Sequence, residues 1–387
     1  MVEVANISGH YACNASPHKQ FNDERYVIFA MLGFLSITGI MGNALVFAVY
    51  HKKRDQQTST LFILTLAVVD FFTCLVNVPL TLCMEYLDGY IQSDFLCKFY
   101  HFIMTSSVPF SSFIMAAIAV DRYVFICHPF SHLMNLTRAK LIVVLLAAVA
   151  ALEGLIVCLC YGVTQLCPVV SETGIGNGTN LDTKNETLMV ILDTGHCTAN
   201  TFILGRSVRK NFKYFHICLY ILSLVVVVVL YSLLYKSLLE RRAKRQKQKA
   251  KLPKLSYADG QSGLITEETE LNTFPVEENG TEKIHLTTRP PTEFERRRAM
   301  EKARDRQANI KTAAMLFVVA VVFIISFFPA MLITSKLLTI RNPDLAKIFF
   351  YFYFLNHVAN PVIYSFMNQN FRDDMRKLLN CSRNPSL

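Results

Sequence analysis

Seven separate stretches of this chain are each long and apolar enough to cross a bilayer, and no other property restricts the fold so severely. A hydrocarbon core of about 30 Å takes roughly 20 apolar residues in a helix. Approximately 26–50, 59–84, 98–125, 139–163, 213–239, 312–338 and 346–366 meet that requirement. Lipid offers backbone amides no partner, so spans of this length must be helices that satisfy themselves. Composition agrees: 52% of the 387 residues are hydrophobic and only 18% charged, too little polar surface for a soluble globule. The expected fold is all-α, a seven-transmembrane helix bundle over 26–366 with a short amphipathic eighth helix near 368–380. Residues 1–25 form an outer segment and 367–387 carry the eighth helix and a short cytosolic tail. The first ten residues, MVEVANISGH, lack a basic start and an apolar run, so span one is expected to act as its own signal. The formal charge of +10 is read as basic cytosolic loops, with no nucleic acid as partner.

Orientation follows from Lys and Arg beside the spans. Lys52, Lys53 and Arg54 follow span one, Arg138 and Lys140 follow span three, and Arg372, Arg376, Lys377 and Arg383 follow span seven. The long loop 236–311 holds 18 Lys and Arg against 12 Asp and Glu. All four segments share one side, so they face the cytosol and the amino terminus lies outside, although Arg206, Arg209, Lys210 and Lys213 oppose this at span five. The N-x-S/T sites Asn6, Asn14, Asn177 and Asn185 then fall outside as candidate glycosylation sites. Asn135, Asn279 and Asn380 match the same pattern on the cytosolic side. Of eleven cysteines, Cys74, Cys127, Cys158, Cys160 and Cys218 read as packing residues. Cys97 opens span three and Cys197 sits in the long outer loop, the best disulfide pair in an oxidising compartment. Cys13 and Cys167 offer a second bridge, with Cys83 as a competitor. Cys381, after a basic amphipathic stretch, is a candidate for palmitoylation or a free thiol.

Polar residues inside the spans discriminate among seven-span proteins, because an ionisable group there is costly. Span one contains Gly42-Asn43-Ala44-Leu45-Val46, and span two contains Leu66-Ala67-Val68-Val69-Asp70. Span three ends in Asp121-Arg122-Tyr123, and span seven reads Asn360-Pro361-Val362-Ile363-Tyr364, with Phe371 seven residues on. In this order and at these depths, the chain resembles the rhodopsin-like (class A) G-protein-coupled receptors over every span. By that resemblance Asp70 with Asn43, Ser111, Asn356 and Asn360 forms a sodium pocket that favours the resting state; otherwise the residues alone make a structural polar knot. No other cofactor is expected. Arg122, neutralised by Asp121 at rest, is a rigid charged fork that an open bundle presents to a partner. The resemblance implies that it then meets Tyr231 and a G protein. Pro361 weakens span-seven hydrogen bonding beside Tyr364.

Span six reads Phe323-Ile324-Ile325-Ser326-Phe327-Phe328-Pro329, and there is no Trp anywhere in the chain. Relatives place Trp at Phe327, and Pro where span five has Ser223, opposite Ser112. Pro329 still supplies a kink. Asn309 stands where some relatives carry an acid that locks Arg122, so measurable ligand-free signalling is expected. Met104 replaces the Asp with which amine receptors bind ammonium, and Phe354 replaces the Lys that holds retinal in opsins; Lys347 lies too near the mouth. By resemblance the ligand pocket is lined by Thr81, Met104, Thr105, Val108, Phe215, His216, Tyr220, Met331, Thr334 and Phe350. Acids at Glu85, Asp88, Asp94, Glu172, Asp182, Glu186 and Asp193 and a long outer loop suit an extracellular peptide, a basic one included.

The third cytosolic loop runs basic, acidic, basic, which suits a disordered centre between helical extensions that meet anionic membrane lipid and a heterotrimeric G protein. Thr266, Thr269, Thr281, Thr287 and Thr288 are candidate sites for receptor kinases and arrestin recruitment. The expectation is a multi-pass plasma-membrane receptor, a transducer of a neuropeptide, and not an enzyme, since no nucleophile–base pair or metal cluster is evident. A lipid or small carboxylic metabolite is the alternative ligand. A transporter reading lacks the repeat symmetry it would need.

Overall fold

The computed structural model describes residues 10–11, 23–52, 57–128, 133–170, 189–200, 203–251 and 293–383. Span one is Asp23–His51, span three Asp94–Cys127, span four Leu136–Cys158, span five Arg206–Lys251 and span six Glu293–Thr334. Span two, Thr58–Tyr86, is broken by a π-helical turn at Thr73–Asn77. Pro79 follows that turn; it has no N–H to donate and its ring crowds the carbonyl four residues back, so the ladder loosens there. Span seven comprises Pro343–Tyr351, a 3₁₀ turn at Phe352–Phe354, and Leu355–Met367. Six of these helices satisfy length and composition for crossing a membrane, and span seven is subdivided by its 3₁₀ turn. The terminal helix is Gln369–Arg383.

Two compact units are present, one containing 1–234 with 315–387 and the other Tyr235–Ala314. The second consists, among the described residues, of the helical continuations of spans five and six. In the first unit, span one packs on spans two and seven, and span three on spans two and four. Its polarity is inverted relative to a soluble protein. Asn43, Asp70, Asn77, Ser111, Asn356 and His357 are buried, while Phe34, Ile37, Met41, Leu145, Leu152 and Val228 are exposed. Lipid covers such an apolar exterior at no cost, and the interior polar groups have to find one another.

Side-chain oxygens cap the helix starts. Ser93 Oγ accepts from Leu96 N at 3.3 Å, and Asn342 Oδ1 accepts from Asp344 N at 2.9 Å just before Pro343. Asn135 Oδ1 accepts from Arg138 N at 2.8 Å, which gives this N-x-T match a capping role at the start of span four.

Two spans stop short of the hydropathy reading. Span four ends at Cys158, and Tyr161–Val170 is a strand, β2, antiparallel to β3 at Met189–Ala199; β1, His10–Tyr11, lies on the other edge of β2. Apolarity alone assigned 161–163 to helix, but the tyrosine, valine and threonine after Cys160 favour a pleated chain once a partner strand is present. Span six stops at Thr334, and Lys336 adopts φ 62°, a left-handed conformation that ends the helix four residues early.

Gly154 sets the approach of spans three and four. A Cβ there would lie 2.0 Å from Ser106 Oγ and 2.7 Å from the Phe102 carbonyl oxygen. The hydroxyl can rotate away, but the backbone carbonyl cannot. Gly154→Ala is therefore expected to separate the two helices at a cost of about 1–3 kcal/mol, the range for overpacking. Thermal unfolding of the purified protein should move down by several degrees; an unchanged midpoint would show that the interface has slack.

Candidate functional site

At the C-terminal end of span three, Asp121 and Arg122 are almost fully buried, with 1% and 3% of their surfaces exposed. Arg122 Nε donates to Asp121 Oδ2 at 3.0 Å, and a second guanidinium nitrogen joins it. The other carboxylate oxygen accepts from Thr58 Oγ1 at 2.5 Å, which ties span two to span three. The guanidinium also lies 5.3 Å from the Phe125 ring. Tyr123 is peripheral, its hydroxyl 3.5 Å from His128 Nε2. The buried hydroxyls of Tyr231 and Tyr364 have no hydrogen-bond partner among the described residues. Tyr231 packs edge-on to Phe317, and Tyr364 edge-on to Tyr50 and Phe371. In this arrangement Arg122 is satisfied by its own neighbour and Tyr231 does not contact it through a hydrogen bond.

The terminal helix is anchored to the same end. Asn368 Nδ2 donates to Tyr50 OH at 3.1 Å, and Phe371 stacks on Tyr50 with 5.9 Å between ring centroids. Arg372 Nη1 donates to the Phe366 carbonyl at 2.7 Å, a cation at the carbonyl end of span seven.

Halfway across, Asp70 is fully buried and both of its oxygens are engaged. His357 Nδ1 lies 2.7 Å from Oδ1, and Asn360 Nδ2 donates to Oδ2 at 2.6 Å. Asn43 Nδ2 donates to the Gly39 and His357 carbonyls, at 2.9 and 2.8 Å, which joins spans one and seven. Ser111 Oγ and Asn356 Nδ2 are buried with no hydrogen-bond partner among the described residues. His357 was not among the residues read from the sequence. Its signal was available: it precedes Asn360 by three positions, so both side chains share one helical face.

Above this layer an aromatic stack links three spans. Phe323 and Phe327 lie 4.7 Å apart, Tyr220 lies 5.8 and 5.3 Å from them, and Phe327 stacks on Tyr353 at 5.4 Å. Phe327 thus sits in a continuous contact from span five to span seven. Ser223 Oγ bonds back to the Leu219 carbonyl at 3.0 Å, whereas the buried Ser112 hydroxyl has no partner among the described residues.

Of the residues read as pocket-lining, Val108, His216 and Tyr220 surround a cavity with Ser112 and Glu153. His216 is already engaged, its Nδ1 2.9 Å from Glu153 Oε2. Glu153, 3% exposed in span four, was missed although an ionisable residue inside a span is the signal that singled out Asp70. Phe215 does not join this group; it is exposed, because it points about 100° away from its helical neighbour His216. Thr81 is buried and donates to the Asn77 carbonyl at 2.8 Å, and Met104 Sδ accepts from Tyr353 OH at 3.2 Å. Thr105, Met331, Thr334 and Phe350 are half-buried.

At the opposite end of the bundle Glu85, Asp88 and Asp94 are paired internally. Glu85 bonds Lys347 Nζ and Tyr351 OH, both at 2.6 Å, joining spans two and seven. Arg25 reaches Asp88 at 2.8 Å, and Lys98 reaches Asp94 one turn away. These three carboxylates are therefore not a free acidic surface for a basic ligand. Glu172, Asp182 and Glu186 lie outside the described residues. Cys97 and Cys197 form a disulfide that ties β3 to the start of span three. Next to it Cys197 N donates to the Gly89 carbonyl at 2.8 Å and Ile91 N to the Gly195 carbonyl at 2.6 Å. Gly195, at φ 65°, leaves room for the Tyr90 ring, which a Cβ would meet at 2.7 Å. Tyr161 at the base of β2 stacks on His101, and burial pushes its phenol up. Cys83 is an exposed free thiol, and Cys218, expected to pack, is exposed as well. Cys13 and the four outer glycosylation candidates lie outside the described residues, as do Thr266, Thr269, Thr281, Thr287 and Thr288.

A seven-span bundle with Asp70 at its centre, Asp121–Arg122 at one mouth and a disulfide-tied loop at the other defines a membrane receptor. The chain belongs to the 7 transmembrane receptor (rhodopsin family) group, whose profile matches residues 42–364. Membership makes it a signalling receptor, not an enzyme, and a multi-pass membrane protein. It is similar to galanin receptor 2b of Danio rerio, 34% identical over 33% of this chain and 34% of the relative. It is 35% identical to the QRFP-like peptide receptor of Branchiostoma floridae over 32% of this chain and 33% of the relative. The human cholecystokinin receptor type A aligns over 95% of this chain and 83% of its own length at 24% identity. The stronger matches thus span about a third of those relatives.

Proposed function

We propose that this receptor sits in the plasma membrane with its amino terminus outside, where an extracellular neuropeptide-like agonist drives nucleotide exchange on a heterotrimeric G protein. The carrying observation is the buried Asp121–Arg122 pair, closed by Thr58 and with the Tyr231 and Tyr364 hydroxyls unengaged nearby on spans five and seven. Opening the inner mouth offers Arg122 a new partner, and the two tyrosines can stabilise that arrangement. Agonist contact reaches it through the stack Tyr220–Phe323–Phe327–Tyr353, which stands in place of the family's Trp.

A peptide is favoured over a lipid or carboxylic metabolite by two supports. The similar receptors are named for galanin, cholecystokinin and a QRFP-like peptide. The β2–β3 ribbon beside the mouth, tied to span three by its disulfide, also offers an extended surface along which a peptide can lie. Because Glu85, Asp88 and Asp94 are already paired, recognition should rest on aromatic and backbone contacts more than on peptide charge. Arrestin and receptor kinases would act on the cytosolic threonines, glycans on the outer asparagines, and an acyl chain on Cys381.

The test is a G-protein dissociation panel in transfected cells, with peptide pools and lipid pools run in parallel and Arg122→Ala as control. A peptide pool should activate at least one heterotrimer, and the variant should lose that response at equal surface expression. Activation by lipid pools alone would replace the ligand class, and activation surviving Arg122→Ala would remove the proposed switch.

A further inference from the structure

We infer that His357 takes the place of the sodium ion at Asp70, so that the polar centre of this receptor is closed by its own imidazole and does not respond to sodium. Sodium binds through oxygens, and its one anionic ligand here would be Asp70. Both of its oxygens are already engaged, Oδ1 by His357 Nδ1 at 2.7 Å and Oδ2 by the Asn360 amide, which donates at 2.6 Å. Whichever atom holds it, one proton lies between Asp70 Oδ1 and His357 Nδ1. A cation against Oδ1 would have to compete with that hydrogen for the same face of the oxygen, and the positive end of the bond points at the ion. To admit the ion, His357 would have to turn away, but both side chains are fully buried, so the ring could turn only by displacing packed neighbours. Unmaking a buried charge-assisted bond is unfavourable unless the new ligand replaces it fully.

The unpartnered polar atoms nearby are mixed in character. Asn43 Oδ1, Ser111 Oγ and Asn360 Oδ1 lack partners among the described residues and are acceptors that a sodium ion could use. Asn356 Nδ2 is likewise unpartnered, and it can only donate. A mixture of acceptors and a donor suits water, which bonds to both, and not a bare cation. The backbone of His357 is fixed too, since Asn43 Nδ2 bonds its carbonyl at 2.8 Å, so the ring is held from span one as well as span two. His357 is a positioning residue: it orients the Asp70 carboxylate and joins spans two and seven without an exchangeable ion.

The experiment measures melting of the purified full-length receptor in nanodiscs, without G protein or agonist, in sodium chloride and in choline chloride at equal ionic strength. The wild-type midpoint should be the same in both salts, and His357→Ser, which supplies an oxygen in a smaller side chain, should gain a sodium-specific rise of several degrees. Stabilisation of that kind follows from an ion that binds only the folded state. His357→Ala is the second variant should the serine protein fail to fold. A sodium-specific rise in the wild type that Asp70→Asn abolishes overturns the inference, as does a folded His357 variant that stays indifferent to sodium. Because no agonist or G protein enters the assay, its outcome is independent of the proposed signalling activity.

Discussion

Asp121→Asn should raise ligand-free nucleotide exchange by tenfold or more at equal surface expression. Asp121 accepts Arg122 on one oxygen and Thr58 on the other, and only 1% of its surface is exposed. Neutralising it leaves a buried guanidinium without its counter-charge, a change that destabilises by about 3–5 kcal/mol in other buried pairs. The penalty falls on the closed arrangement, because an open inner mouth exposes Arg122 to water or to a partner. Each 1.4 kcal/mol of that difference shifts the equilibrium about tenfold. Only part of the penalty needs to be specific to the closed state for the effect to be large. The wild type itself should signal above empty-vector cells. The readout is basal GTPγS binding in membranes, and Arg122→Ala on the Asp121→Asn background should return it to background. Basal exchange unchanged by Asp121→Asn would mean that this pair does not hold the receptor at rest.

Cys197→Ser should lower agonist potency by more than tenfold while leaving ligand-free exchange near its wild-type level. The disulfide closes a separation of 100 residues, and loss of such a tie costs on the order of 2–5 kcal/mol in small secreted domains. Here the loss is local. It frees β3 from span three and weakens the bridge between Tyr90 and His196 beside the mouth. The Asp121–Arg122 pair lies at the opposite end of span three and keeps its contacts. Cys97→Ser should behave the same way, and the double substitution should add nothing, because one bond is lost in all three. Concentration–response curves on intact cells decide the point. Full potency in either single variant would exclude the loop from recognition.

The class of fold could be read from the chain because it follows from length and composition: an apolar run of twenty residues in lipid can only be a helix. Boundaries set by competing partners could not. Residues 161–163 read as helix by hydropathy and are strand because β3 is present to pair with them. Among functional residues, Asp70, Arg122 and Tyr364 stand out by type and spacing. Glu153 carried the same signal as Asp70 but had no obvious counterpart in sequence, since His216 lies 63 positions away. His357 gains its role only because span two comes within 2.7 Å of it.

The sequence by itself determined that this chain crosses a membrane seven times and which loops are basic. Those properties depend on transfer of each segment from water and on local charge, so no long-range contact is needed to read them. Only the tertiary structure decided the partners: Glu85 with Lys347 and Tyr351, Glu153 with His216, and Asp70 with His357. Polar groups buried in a bilayer must pair, but which pairs form depends on helix rotation and depth, and these are settled only when all the helices pack together.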